Sequence, residues 1–245
     1  MKISQDVMQV LDRAEVDGNQ LRLTGQLDRK LYADVNKVLE AIGGKWSRGA
    51  KAHVFDTLVV DVLDPIMETG EYSRTKQDFG QFDSPEDVVA RVIQLAGIEP
   101  GMVVLEPSAG LGNIAKAAEA AGGKVTAIEI DAKRCGTLAG LTNITAHNHD
   151  FLSQTPTAHF ERVVMNPPFA KQADIEHVLH AYQCLKSGGR LVSVMSASVL
   201  FRENSKTEAF RAFVDSRGGT FERLPDASFA QSGTAVHTCI VVIPA

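Results

Sequence analysis

Val103-Val104-Leu105-Glu106-Pro107-Ser108-Ala109-Gly110-Leu111-Gly112-Asn113 is an apolar run that ends at an acid and passes through a glycine-containing turn into a helical pattern. Uninterrupted aliphatic residues over 103–105 suit a strand buried on both faces. Gly110 and Gly112 let backbone approach a ligand closely at the carboxyl end of that strand, where doubly wound sheets bind their ligands. With Ala115 they also satisfy the loose GxGxxA dinucleotide pattern, and Glu129, ending the next apolar run, stands where an acid would hold ribose hydroxyls.

Outward from this turn the rhythm is regular. Strand-like runs at 102–106, 125–130, 144–147, 162–165 and 190–196 alternate with helical patterns at 115–121, 133–141, 175–185 and 207–216. That alternation predicts a doubly wound, mostly parallel α/β sheet. Ahead of it, Ser84 reads as an N-cap with Pro85 at the first helical position and an acid at the third, opening a helix that runs to about Leu95. Two final runs, 221–224 and 237–243, have no helix between them, which predicts a closing hairpin, one antiparallel strand and seven strands in all.

A polar, weakly periodic stretch at 71–78 divides the chain into a small α+β module, 1–70, and a larger domain, 79–245. In the module, Leu21 and Leu23 alternate as in a strand. Leu31, Val35, Val38, Leu39 and Ile42 recur at helical spacing until Gly43-Gly44, residues 45–55 read as a hairpin about Arg48-Gly49, and a helix follows Asp56.

At 245 residues the chain can bury about 70–75% of its unfolded surface without staples. No apolar run is long enough to span a bilayer, and the first ten residues lack the apolar segment of a secretory signal. Cys135, Cys184 and Cys239 are widely spaced and form no CxxC pair, so no disulfide framework is expected and a cytoplasmic, reducing setting is. His147 and His149 lack a third ligand nearby in sequence, and no metal is expected. A net charge of −5 argues mildly against a nucleic-acid partner, because phosphate binding leaves a basic footprint. The best local footprint is Lys45, Trp46, Arg48 and Lys51, in a segment with no acid; the alternative for it is an exposed hairpin with Trp46 packed inward.

Glu106 separates two cofactor classes. An acid immediately before the glycine turn would repel the phosphates of a dinucleotide, whereas S-adenosylmethionine brings a sulfonium and an ammonium. Asp150-Phe151 follows the third strand, where a carboxylate could accept from an adenine amine and a ring could line a base pocket; for Asp150 a capping role is the alternative.

Asn166-Pro167-Pro168-Phe169 closes the fourth strand with a polar amide, two rigid prolines and an aromatic ring. An exocyclic amine on a planar base is a poor nucleophile because its lone pair is delocalised into the ring. If the Asn166 side-chain oxygen and the Pro167 carbonyl each accept one amine hydrogen, that lone pair is localised and aimed. The prolines fix the backbone carrying those acceptors, and Phe169 would stack on an extruded base.

These motifs, in this order, make residues 79–245 resemble the class I S-adenosylmethionine-dependent N6-adenine DNA methyltransferases whose cofactor motif precedes an NPPF/Y motif, in a compact form similar to phage and prophage enzymes. Gly80-Gln81-Phe82-Asp83-Ser84-Pro85 resembles the family's upstream cofactor motif. The resemblance implies cofactor contacts by Phe82, Ser84, Pro85, Glu106, Pro107, Ser108, Ala109, Gly110, Gly112, Asn113, Glu129, Ile130, Asp150 and Phe151, with Asn166, Pro167, Pro168 and Phe169 catalytic. It also implies that Phe229, in the loop 228–234, contacts a flipped adenine of DNA. Family members of this order carry a large target-recognition domain after the last strand, whereas this sequence ends at Ala245. Specificity is therefore expected from residues 1–78, from a partner, or to be low. An RNA methyltransferase acting on adenine N6 or guanine N2, a glutamine-amide methyltransferase, a non-catalytic binding subunit and a nicotinamide oxidoreductase are the competing readings. The last leaves the NPPF motif unexplained.

Overall fold

The computed structural model describes residues 3–71, 83–226, 228–229 and 236–245. Its amino-terminal module comprises α1 (Gln5–Asp12), β1 (Glu15–Asp17), β2 (Gln20–Arg22), α2 (Arg29–Ala41), β3 (Lys45–Ser47), β4 (Ala52–Val54) and α3 (Val59–Thr69). The strands form an antiparallel sheet in the order β1-β2-β4-β3, with Trp46 opposite His53 in the expected hairpin. The apolar positions that predicted α2 converge with those of α1 and α3 on one cluster that includes Leu11, Leu21, Val35, Leu39, Phe55, Leu63 and Met67.

The second unit begins with α4 (Glu86–Ala96) and alternates through β5 (Val103–Glu106), α5 (Asn113–Ala120), β6 (Lys124–Glu129), α6 (Ala132–Leu138), β7 (Ile144–Asn148), β8 (Phe160–Met165), α7 (Ala173–Tyr182), β9 (Leu185–Ser196) and α8 (Ser205–Ser216). It closes with β10 (Thr220–Arg223) and β11 (Thr238–Pro244). Seven strands make one sheet in the order β10-β11-β9-β8-β5-β6-β7, parallel except for β11, which runs antiparallel to both neighbours. This is the predicted Rossmann-like methyltransferase fold.

Successive strand residues point to opposite faces, so each central strand feeds two cores. Val104, Val164, Val192 and Ile240 pack with α4 and α5, while Leu105, Val163, Met165, Leu191 and Val241 pack with α7 and α8. The chain runs outward from β5 to β7 and then returns to lay β8 on the other side of β5. Ligands bind at such a switch point, beyond the carboxyl ends of the strands, where Glu106 ends β5 and Asn166 follows the adjacent β8.

The module packs against this end of the sheet. The Arg202 guanidinium reaches Asp12 Oδ1 and Asp64 Oδ1, both at 3.0 Å, with all three side chains largely buried. Asp12 also accepts from the Glu203 amide, Lys171 Nζ lies 2.8 Å from Asp61 Oδ1, and Phe201 packs on the module's core. Of the expected linker, 72–78 lies outside the described residues. Among the described residues no helix is long and apolar enough to cross a membrane.

One expectation at the start of α4 is corrected. Pro85, not Ser84, occupies the N-cap position, and no side chain caps the helix. The Ser84 hydroxyl is turned instead into the site described next.

Candidate active site

The glycine turn is held from below by Glu129. At the end of β6 its carboxylate accepts from Gly110 N at 2.7 Å and Asp131 N at 2.9 Å. Each oxygen keeps a further lone pair for a hydroxyl. Gly110 (φ 55) and Gly112 (φ 78) take left-handed conformations that favour glycine, and Gly112 is the N-cap of α5. A Cβ on Gly112 would stand 2.1 Å from Leu138 Cδ2. Gly112→Ala is therefore expected to lower stability by roughly 1–3 kcal/mol through positive-φ strain and overpacking, measured by denaturant unfolding. A loss under 0.5 kcal/mol would mean that the turn relaxes freely.

Glu106 lies at the base of the turn, 1% exposed. Burial pushes its carboxyl well above the usual carboxylate range; an amide hydrogen bond from Ala115 opposes that rise and the Glu129 charge adds to it. Its Oε2 is buried with no hydrogen-bond partner among the described residues, and the residue lines the cavity. Glu106 is less a screen against phosphates than a buried acid whose missing partner a cationic ligand would supply, and an ammonium group fits that need.

Beyond β8, Asn166 turns its Nδ2 toward Ser84 Oγ at 3.0 Å, and Asn113 Nδ2 donates to the Ser84 carbonyl at 3.0 Å. Ser84 thus couples the start of α5 to the strand exit. Phe169 lines the cavity and is otherwise buried in the core with Val88, Val89 and Leu224. Lys171 and Gln172 then adopt left-handed conformations at φ 57 and 58, a strain on the order of 1 kcal/mol or more at each. The turn is tied down by Gln172 N to Phe169 O at 3.0 Å, Thr207 Oγ1 to Gln172 Oε1 at 3.2 Å and Lys171 to Asp61.

One cavity therefore gathers Ser84, Glu106, Ser108, Ala109, Gly110, Asn113, Asn166, Pro167, Pro168 and Phe169 from the sequence reading. Pro85, Pro107, Gly112, Glu129 and Ile130 do not line it; Ile130 is 62% exposed beyond β6 and offers a bare apolar side chain. Phe82 and residues 230–234 lie outside the described residues.

Asp150 takes its capping alternative, and Phe151 and Phe229 do not line this cavity. Asp150 is exposed and caps a short turn, its Oδ1 accepting from Leu152 N at 3.0 Å. That turn sends Phe151 down onto the α7 face of the sheet, edge-on to His180 at 4.7 Å, where it lines a second cavity with His147 and His149. Phe229, expected to touch a flipped base, is 1% exposed in the same core cluster as Phe169, because its ring fills apolar space beside Leu224 and Val236. Lys45, Trp46, Arg48 and Lys51 are all exposed. Trp46 meets His53 edge-on at 5.2 Å and is 52% exposed, so it is not packed inward.

Glu68 and Arg134 also line the cavity, and the sequence reading missed both. For Glu68 a signal existed: Asp61, Asp64 and Glu68 recur at i, i+3 and i+7 on an otherwise apolar helix, an acidic row on one face.

Residues 79–213 match the profile of the methyltransferase small domain family. No curated protein matches the chain in sequence. Among solved structures, the type I restriction-modification system methyltransferase subunit from Streptococcus thermophilus aligns at 21% identity and a TM-score of 0.59, over 87% of this chain and 53% of that one. A dimethyladenosine transferase from Plasmodium falciparum aligns at 18% identity and 0.52, over 67% of this chain and 64% of that one. The chain spans less than two-thirds of the length of either, and at these identities the likeness is one of fold.

Proposed function

The chain belongs to the methyltransferase small domain family, whose members depend on S-adenosylmethionine, and from this premise we propose that it methylates the exocyclic N6 of adenine in DNA on a base flipped from the duplex. The observation that carries the reading is the orientation of Asn166. With Nδ2 committed to Ser84 Oγ, the amide oxygen is the acceptor end of the side chain, and Asn166 and Pro167 both line the cavity.

When bound, S-adenosylmethionine supplies a methyl group on a sulfonium, ready for displacement in line. Glu106 would take the ammonium on its unpaired Oε2, Glu129 the ribose hydroxyls on its remaining lone pairs, and Ile130 the apolar face of the cofactor's adenine. Asn166 Oδ1 and the Pro167 carbonyl accept the two N6 hydrogens, localising the nitrogen lone pair toward the methyl group. Because both acceptors are fixed before the reaction begins, little reorganisation is needed as positive charge grows on nitrogen, and one of its two hydrogens then leaves as a proton to solvent. Phe169 stacks on the base and offsets part of the few kcal/mol spent on unstacking.

The DNA assignment draws on the Glu106-to-Gly110 turn and on the exposed Lys45, Trp46, Arg48 and Lys51, which offer three cations and an indole to a strand. Their module, 1–70, we assign to DNA or partner binding and 79–245 to methyl transfer. The test supplies methyl-labelled S-adenosylmethionine with unmethylated duplex DNA, RNA and protein, followed by digestion and mass spectrometry. Label in N6-methyladenine of DNA is the expected result; label confined to RNA, guanine or glutamine overturns the reading.

A further inference from the structure

Glu68 has no task in the chemistry above. It lies near the end of α3, is 3% exposed, and lines the cavity shared by Glu106, Asn166, Pro167 and Phe169. Among the described residues its carboxyl oxygens form no hydrogen bond and no ion pair, although its backbone carbonyl accepts from His237 N at 3.1 Å. Its helix is anchored beside the catalytic turn: Asp61 binds Lys171 and Asp64 binds Arg202. Glu68, on the same face, is the acid of that row left facing the cavity.

The charged groups around it come from several elements. Asp64 lies on its own helix, Asp174 on α7, Arg202 in the segment before α8 and His237 ahead of β11, while Asp83, Glu106 and Arg134 line the same cavity. Arg202 is committed to Asp12 and Asp64. Burial first, then the Asp174 and Asp64 charges, push the Glu68 carboxyl up to about 8, so that it carries its proton at neutral pH. A carboxyl in that state is a hydrogen-bond donor.

We propose that Glu68 reads the target base, its carboxyl O–H donating to ring nitrogen N1 of the flipped adenine while Asn166 and Pro167 hold the neighbouring amine. The inference rests on the adenine reading given above. Adenine presents the bare acceptor N1 beside its amine, as cytosine presents N3, whereas the N1 edge of guanine carries a hydrogen, so a donor at this wall favours adenine over guanine held by that edge. The ammonium of the cofactor already has a buried acid in Glu106, which leaves Glu68 for the substrate. On this account the amino-terminal module completes the base pocket.

The experiment compares wild type, Glu68→Ala and Glu68→Gln on DNA whose target is adenine or 1-deazaadenine, in single-turnover kcat/KM, with cofactor affinity measured by calorimetry. Glu68→Ala is expected to lose about tenfold on adenine, the worth of one hydrogen bond of about 1.4 kcal/mol, and almost nothing on 1-deazaadenine. Glu68→Gln, whose amide still donates, should stay within threefold. Wild-type activity should fall as pH rises through about 8, where the proton is lost, and Glu68→Gln should not follow that fall. Equal losses on both bases, an unchanged pH fall in Glu68→Gln, or a tenfold loss of cofactor affinity in Glu68→Ala would overturn the inference. Wild type that labels no DNA adenine sinks the function proposed above; wild type that does, with Glu68→Ala equally active, sinks only this one.

Discussion

Asn166→Ala is expected to slow methyl transfer by about 100- to 1,000-fold, the loss that follows when a fixed hydrogen-bonding group at a reacting centre is removed. Its effect on S-adenosylmethionine affinity should stay within a few-fold, because the glycine turn, Glu106 and Glu129 belong to β5 and β6 and keep their geometry without it. The amide has two functions that the substitution removes together. Its oxygen would accept an amine hydrogen and leave the nitrogen more electron-rich, and its nitrogen donates to Ser84 Oγ. Ser84→Ala separates them: it leaves the acceptor in place but frees the amide to rotate, so an intermediate loss of about tenfold is expected, the worth of one hydrogen bond. Single-turnover rates on an adenine-containing duplex and calorimetric cofactor titration decide the matter. A Kd for S-adenosylmethionine that rises in step with the rate loss would place Asn166 in the cofactor site instead.

The second large effect concerns the junction between the two units. Arg202→Ala strands Asp12 and Asp64, both nearly buried, without their shared cation. Breaking a buried pair in this way costs about 3–5 kcal/mol, far more than an exposed pair such as Arg13–Glu203 contributes. Arg202 is 8% exposed, and its Nε and Nη1 each serve a different carboxylate, so no water-screened route relieves the loss. Urea unfolding followed by circular dichroism tests the magnitude, and the fluorescence of Trp46, the single tryptophan, follows the module separately. A shift below about 1 kcal/mol would mean that the module is held by its apolar contacts alone. Because the same junction delivers Glu68 to the cavity, the variant should also lose turnover at temperatures where it remains folded.

The order of elements from Ser84 to Ala245 was legible because each depends on near neighbours. Strand-like runs such as Val103–Leu105, the glycine turn and the helical spacing of α5 through α8 are local patterns, and the missing helix before β11 announced its antiparallel course. In the module, α2, the β3–β4 hairpin and α3 were read for the same reason, while α1 escaped because it is short and its buried Val7 and Leu11 make sense only against the module's core, and β1 because it is three exposed residues with no periodicity to read.

Within the site, the motifs at the two strand ends identified themselves, since glycines with positive φ and an Asn-Pro-Pro-Phe exit carry their geometry in their own residues. What depended on packing did not. Ser84 reads as a helix cap until Asn166, 82 positions away, claims its hydroxyl. Phe229 and Phe151 read as ligand contacts until the sheet offers each ring a drier place. The sequence by itself determined the fold class, the glycine turn and the Asn-Pro-Pro-Phe strand exit, because period, turn chemistry and strand order act over short distances. Only the tertiary structure decided that Glu106 would be a buried acid with an oxygen that has no partner among the described residues, and that an acid from the amino-terminal module would line the cavity Asn166 lines. Desolvation and the meeting of distant walls are properties of a packed cavity, and no local stretch of chain carries them.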